Sequence, residues 1–253
     1  AEMQLIERAA AHQGEAEIYR FLHTPDGGGT LCSGIQDFAI IPLSGKDEKA
    51  IQSIVETLKR HRTGTLSLTS DGVEFKPGET QPHSFSNGGE CWSYSGPIGL
   101  EDTLYMIGGG HVGLALSRVM STLPFRIVVL DNREDLPTMA ANQWAHEQRV
   151  VSIDDVGAQV REGDRSWVVI MTFGHAHDRQ VLEQLLGRPY AYLGLMGSKA
   201  KVRQMFTSMI ADGISEAALQ EVRAPVGVSI ASHTPEEIAI SIAAEIISLR
   251  NRG

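Results

Sequence analysis

A chain of 253 residues, 42% hydrophobic and 21% charged, has the balance of a globular protein and the length for one large or two modest domains. Its formal net charge of −9 argues against a nucleic-acid surface, which needs an excess of Lys and Arg to displace counterions. No apolar run approaches a membrane span, no basic segment leads into an apolar one as in a signal peptide, and two cysteines without C-x-x-C spacing make no disulfide framework, so the expectation is a cytoplasmic protein.

Taken in order, the chain opens with helical spacing at Leu5, Ile6, Ala9 and Ala10, and residues 15–21 read as a strand. A glycine turn covers 24–29, and 35–43 reads as a strand ending at Pro42. Residues 46–61 predict a helix with Ile51, Ile54, Val55 and Leu58 on one face. Residues 63–69 are strand-like, and Asp71-Gly72 offers a hairpin turn into 73–75. From 76 to 102 the chain is rich in Gly, Pro, Ser and Asn, which marks the best domain boundary, although Phe85, Trp92 and Tyr94 alternate as edge strands would. The expected organisation is an N-terminal α+β domain over 1–80, a linker over 81–101 and a second domain over 102–253.

From Asp102 onward strands and helices alternate. Residues 104–107, 126–130, 150–153, 167–171 and 190–195 are short apolar runs, and 178–186 and 199–212 read as helices. A last helix opens at Thr234 as N-cap, with Pro235 at N1 and Glu237 closing a capping box. The fold class is therefore α/β: a C-terminal Rossmann-like doubly wound parallel sheet with a smaller N-terminal α+β domain.

The chemistry concentrates where strands end. Gly108, Gly110 and Gly113 form G-x-G-x-x-G between an apolar strand and an apolar helix. In that context the first glycine makes the turn, the second admits a pyrophosphate and the third lets the helix pack closely. Gly109 and His111 share the turn, and the helix N-terminus offers free N–H groups to an anion. Asp131 ends the next strand, eighteen positions after Gly113, where an acid accepts ribose hydroxyls, and Arg133 follows it. By that reading a dinucleotide at the site is NAD-type, because Asp131 repels a 2′-phosphate unless Arg133 offsets it.

Thr172 and His175 lie just after another strand. Gly197, Ser198 and Lys199, backed by Lys201 and Arg203, make a second cationic turn. His175, His177 and Asp178 raise a metal reading with His111 as a third histidine. The preferred reading has one histidine lining the pocket and Asp178 capping the next helix, with no metal. Cys32, after the first glycine turn, reads either as a buried small hydrophobe or as an exposed thiolate suited to sulfur chemistry or a soft metal. Cys91 reads as structural.

The chain resembles the xanthine dehydrogenase accessory proteins, the XdhC/CoxI family. The resemblance is carried by Gly108-Gly-Gly-His-Val-Gly113, by residues 168–178 ending in Thr172-Phe-Gly-His-Ala-His-Asp178, and by stretches 192–199, 224–228 and 234–239, which together cover about 102–250. Cys32-Ser-Gly34 looks like the family's Cys-Gly-Gly segment, with Ser33 at its middle position. Phe173 stands where the family's Thr-His-x-His-Ala pattern has its first histidine, and the upstream Gly-Gly-Cys-Val-Glu segment of many members is missing.

The resemblance implies an accessory factor for a molybdenum hydroxylase such as xanthine dehydrogenase. It would bind the molybdenum cofactor (molybdopterin), an anionic pterin phosphate, and support its sulfuration and insertion into the apoenzyme. It implies Cys32 as the thiolate, the apoenzyme and a cysteine desulfurase as partners, and a homodimer. The alternatives are an NAD(P)-dependent oxidoreductase using Asp131 on the ribose, and a nucleotide-binding sensor.

Overall fold

The computed structural model of the protein describes residues 2–12, 14–23, 34–60, 62–88, 91–100 and 102–251. The chain divides into two units between Gly99 and Leu100.

The first unit begins with α1 (Glu2–Ala11) and an antiparallel pair, β1 (Glu17–His23) and β2 (Gly34–Ile40). A short 3-10 turn then leads into α2 (Glu48–Lys59). Asp47 in that turn is buried and accepts the N–H groups of Ser44 at 2.9 Å and Val73 at 3.1 Å, which pins the turn to the strand beyond. Val55 and Leu58 of the expected apolar face of α2 are exposed, whereas Thr57 is buried. The helical period is present, but the packed stripe is displaced from the one that hydrophobicity marks.

Strands β3 (Gly64–Thr69), β4 (Gly72–Pro77), β5 (Ser84–Asn87) and β6 (Trp92–Ile98) form an antiparallel sheet in the order β4-β3-β6-β5. Gly72 turns the β3–β4 hairpin at φ 140°. The expected linker over 81–101 therefore holds two strands of this sheet, and β6 is an inner one. Its Gly-Ser-Pro composition hides the role. Trp92 is buried, and a Cβ on Gly96 would lie 2.5 Å from the Tyr94 hydroxyl and 2.6 Å from His83 Nδ1, so those side chains would have to shift to admit one.

The second unit alternates β7 (Asp102–Ile107), α3 (His111–Met120), β8 (Phe125–Asp131), α4 (Pro137–Ala140), β9 (Glu147–Val150), α5 (Val156–Gln159), β10 (Gly163–Ile170), α6 (His175–Leu185), β11 (Tyr190–Leu195), α7 (Lys199–Ala211), α8 (Glu216–Gln220) and α9 (Pro235–Arg250). All five strands are parallel, in the order β11-β10-β7-β8-β9. The sheet thus runs outward in both directions from β7, with the topological switch between β7 and β10. The strand expected over 150–153 lies instead at Glu147–Val150 and shares only Val150 with that expectation, while Ile153 belongs to a 3-10 turn.

Apolar runs in β7, β8, β10 and β11 bury both faces of the sheet, as parallel strands require, whereas the edge strand β9 is polar and only partly buried. One face packs Leu104, Met106, Ile127 and Val169 against α3 and α9, and the other packs Tyr105, Val128, Val168 and Ile170 against α5 and α6. α9 is capped as expected: Thr234 Oγ1 accepts the Glu237 N–H at 3.2 Å, and the Glu237 carboxylate accepts the Thr234 N–H at 3.1 Å. The stretch 224–228 is tied to that helix. Gly227 N–H donates to Glu245 at 2.8 Å, the Tyr192 hydroxyl donates to the same carboxylate, and Ser241 Oγ donates to Val228 O at 2.6 Å. That motif is architectural.

Candidate functional site at the carboxyl end of the parallel sheet

Four glycines shape the turn between β7 and α3, each under a different constraint. Gly108 has φ 124°, and a Cβ there would lie 2.2 Å from Met171 O on the neighbouring strand's exit. Its N–H donates to Leu130 O at 2.8 Å, so the turn is stitched to β8 as well. A Cβ on Gly109 would meet Met139 at 2.5 Å, and the Gly109 carbonyl accepts from the Thr138 hydroxyl. A Cβ on Gly113 would lie 2.4 Å from Gly108 O, the close approach of helix to turn that the third glycine permits.

Gly110 differs. It is the N-cap of α3, contributes no capping side chain, and a Cβ there would meet nothing within 4 Å. The open approach to the helix N-terminus therefore lies over Gly110, where backbone N–H groups and the helix dipole favour an anion.

Asp131 closes the turn from the side of β8. Its side chain is 3% exposed and each oxygen takes two donors. Oδ1 accepts from Arg133 N at 3.0 Å and Arg133 Nε at 2.8 Å; Oδ2 accepts from Gly109 N at 2.7 Å and Arg133 Nη2 at 2.8 Å. Burial pushes the Asp131 carboxyl up, but the Arg133 and Gly109 bonds and the Arg133 charge outweigh it and hold it below the ordinary range.

The exit of β10 supplies the opposite wall. Thr172 donates through N–H at 3.0 Å and Oγ1 at 2.6 Å to one oxygen of Asp178, which is buried in the first turn of α6. Burial pushes the Asp178 carboxyl up despite those bonds and the nearby His175 and His177. Phe173, between them, is 62% exposed. The Arg133 guanidinium stands 4.9 Å from its ring centre, and the His177 ring packs edge-on at 4.9 Å. His177 Nδ1 is buried without a hydrogen-bond partner among the described residues.

A cleft too tight to admit a water molecule lies between these parts, lined by Gly108, Asp131, Asn132, Thr172 and Phe173 with apolar walls from Val151 and Ile153. The structure thus brings together Gly108, Gly109, Gly110, Asp131, Arg133 and Thr172. His111 is exposed at the first turn of α3 and lines a different groove, with Arg118, Trp144 and Pro235. His175 is exposed, 4.0 Å from Asp178.

Gly197, Ser198 and Lys199 open α7 beyond β11, two strands from β7. Ser198 caps α7 by accepting the Lys201 N–H at 3.3 Å. Among the described residues no three His, Cys, Asp or Glu side chains converge on a metal position. Cys32 lies outside the described residues, and Cys91 is an exposed free thiol. Phe173 was the residue that sequence reasoning left without a place in the site. The available signal was an apolar aromatic in the short turn after a parallel strand, outside any apolar run that would bury it.

A family model described as the XdhC Rossmann domain matches residues 104–246. The chain belongs to the XdhC family. Two curated relatives match part of the chain. The uncharacterized protein YqeB of Escherichia coli is 32% identical over 156 residues, 60% of this chain and 28% of YqeB. A relative from Bacillus subtilis, described as a probable subunit of xanthine dehydrogenase, is 24% identical over 149 residues, 59% of this chain and 43% of the relative. The chain thus matches less than half the length of either relative. A crystal structure described as a xanthine dehydrogenase from Bacillus halodurans has the same fold, with a TM-score of 0.76 at 22% identity over 100% of this chain and 81% of that one. Among the described residues of this XdhC-family chain, no helix is long and apolar enough to cross a membrane.

Proposed function

We propose that this protein is an accessory factor for a molybdenum hydroxylase of the xanthine dehydrogenase class, and that it binds the molybdenum cofactor over the β7–α3 turn. The observation that carries this reading is Gly110. In a chain of the XdhC family, it is the glycine of the motif whose side-chain direction is open, and it sits at the N-terminus of a 10-residue helix without a capping side chain. That cradle fits the phosphate end of a pterin cofactor. The bound cofactor supplies the molybdenum and sulfur chemistry of the enzyme it is delivered to. This chain's residues hold its anionic end, and the Thr172–Phe173 turn bounds the cleft beside it.

The reading extends to the sulfuration and insertion of the cofactor, with Cys32 as the thiolate, the apoenzyme and a cysteine desulfurase as partners, and a homodimer as the working form. An oxidoreductase using Asp131 on a nicotinamide dinucleotide's ribose is the less favoured reading, because the donors already on Asp131 would have to leave first.

Gly110→Val is the test. The new side chain enters open space, so the fold is kept at a cost of about 1 kcal/mol or less for the poorer cap, while the anion seat is filled. Isolated with its ligand, the wild type should carry pterin fluorescence and molybdenum, and the variant at least tenfold less. Equal cofactor content in the two proteins would remove this turn from the site.

A further inference from the structure

The parallel sheet stops one strand short. With β7 as the first strand, the order β9-β8-β7-β10-β11 is 3-2-1-4-5, and the doubly wound fold has a place for a sixth strand beside the fifth. The chain fills only the later half of that place. Arg223 N–H donates to Leu193 O and Arg223 O accepts from Leu195 N–H, each at 2.9 Å, a parallel bridge opposite Gly194. Val226 N–H adds a bond to Leu195 O at 2.9 Å. Before Arg223 the chain has only just left α8, which ends at Gln220, and the edge of β11 over residues 190–193 borders an open cleft. Strand residues that face one side recur at every second position. Leu193 faces outward, since its carbonyl serves Arg223. Its N–H and the carbonyl of Ala191 therefore point the same way, and neither is bonded across that edge among the described residues. One donor and one acceptor so placed are what a single residue of a parallel strand satisfies.

The cleft along this bare edge measures about 470 Å³. Leu186, Tyr192 and Leu249 give it apolar walls, and its charged groups are Arg188, Glu221 and Arg223. Arg188 is engaged by Gly157 O at 2.8 Å and by Glu162 at 3.7 Å. Arg223 is exposed and has no ion-pair partner among the described residues. Two guanidiniums thus face one carboxylate in the lining of a chain whose net charge is −9.

We propose that this edge receives the extended C-terminal end of a partner polypeptide, which adds as a short parallel sixth strand with its terminal carboxylate on Arg223. The direction follows from the blocked end of the track. Arg223 already stands in the sixth place, so an added strand must stop there. Run parallel to β11, it stops at its C-terminus and brings a carboxylate to a free guanidinium. Run antiparallel, it brings an ammonium group to the same cation. Glu221 weakens this preference without reversing it, because both guanidiniums line the same cleft. The backbone supplies the pairing, and the apolar walls favour apolar side chains at the last positions of the partner. An open strand edge is otherwise a liability that a fold covers or charges. The inference does not rest on the phosphate seat at Gly110, which follows a different strand.

Titration of the isotope-labelled full chain with the tripeptide acetyl-Val-Ile-Val, followed by NMR, tests it. The free acid should shift the amide signals of Leu193, Leu195 and Arg223 in a saturable way, and the C-terminal amide of the same peptide should bind about tenfold more weakly. Arg223→Gln should remove the advantage of the acid and leave binding of the amide in place. Methylating the backbone nitrogen of the last or of the middle peptide residue, in turn, removes the donor to Ala191 O in one of the two peptides. Binding should be lost in that one, and the fold of the protein is untouched. Binding that tolerates both methyl groups would mean that the peptide lies in the cleft without joining the sheet. Equal affinities of acid and amide for the wild type would mean that the carboxylate is not read. Either result overturns the proposal. Edge signals that move with protein concentration before any peptide is added would assign the edge to a second copy of the chain, and an absence of saturable shifts at millimolar peptide would leave it without a strand; both overturn the proposal as well.

Discussion

Two buried carboxylates flank the cleft and are shifted in opposite directions, which gives them opposite effects on stability. Asp131 sits below its ordinary pKa because its Arg133 and Gly109 donors outweigh burial. Its contribution is present above the unfolded value of about 3.9 and is lost as pH falls through the lower folded value. Asp178 sits above its ordinary pKa because burial outweighs the two Thr172 bonds. The folded state therefore holds that proton more tightly than the unfolded chain. Its stabilising effect is full below about pH 3.9 and is lost as pH rises through the higher folded value. Asp178→Asn keeps an oxygen for the Thr172 N–H and hydroxyl and removes the charge. The variant should melt at a higher temperature than the wild type at pH 7 and lose this advantage towards pH 4. Thermal melts at both pH values check it, and an unchanged difference between them would mean that Asp178 is not the group responsible.

At the level of elements, how much could be read from the sequence depended on whether hydrophobic periodicity carried the information. Four strands of the parallel sheet were legible because each contains an apolar run, and β11 over Tyr190–Leu195 has the predicted bounds; β9, Glu147-Gln-Arg-Val150, has no such run and was expected three residues later. The capping box of α9 was legible because its chemistry is local. Strands β5 and β6 were obscured because Gly, Ser and Pro dominate them, and their pairing depends on partners in β3 rather than on their own composition. At the site, the steric roles of Gly108 and Gly113 follow from the motif, but the saturation of Asp131 does not. It depends on a side chain two residues away folding back, and no spacing rule encodes that.

The same contrast sets the cost of substitution. Thr234→Ala removes a cap and should cost about 1 kcal/mol. Gly113→Ala places a methyl 2.4 Å from a backbone oxygen that cannot move without displacing the whole turn. It should cost about 1–3 kcal/mol and also weaken ligand binding, which Thr234→Ala should leave alone. Urea unfolding paired with ligand titration separates the two, and equal binding in both variants would mean that the turn geometry does not matter to the site.

Across the whole molecule the two units are built to very different standards. The second has two apolar layers, one on each face of its sheet, with Leu104, Met106, Phe125 and Ile127 among the fully buried side chains of one layer and Ile107, Leu130, Ile170 and Leu182 among those of the other. Among the described residues of the first unit, Trp92 is the only large hydrophobic side chain in the buried class, whereas Met3, Ile6, Ile35, Leu43 and Phe85 are exposed. A domain of about 100 residues with so little buried apolar surface is marginal by itself. Where exposed apolar side chains lie together they mark an association surface, and these five are the first unit's candidates. The expected outcome is that a fragment of residues 100–253 unfolds in one cooperative transition, while a fragment of residues 1–99 is either unfolded or self-associated. The full chain should sediment as a homodimer at micromolar concentration, and a double substitution of exposed apolar residues in the first unit, Ile35→Ser with Phe85→Ser, should shift it towards monomer without lowering the melting temperature of the 100–253 transition. A wild-type chain that sediments as a monomer, or a 1–99 fragment that is monomeric and cooperatively folded, would show that the first unit's exposed apolar side chains serve something other than self-association.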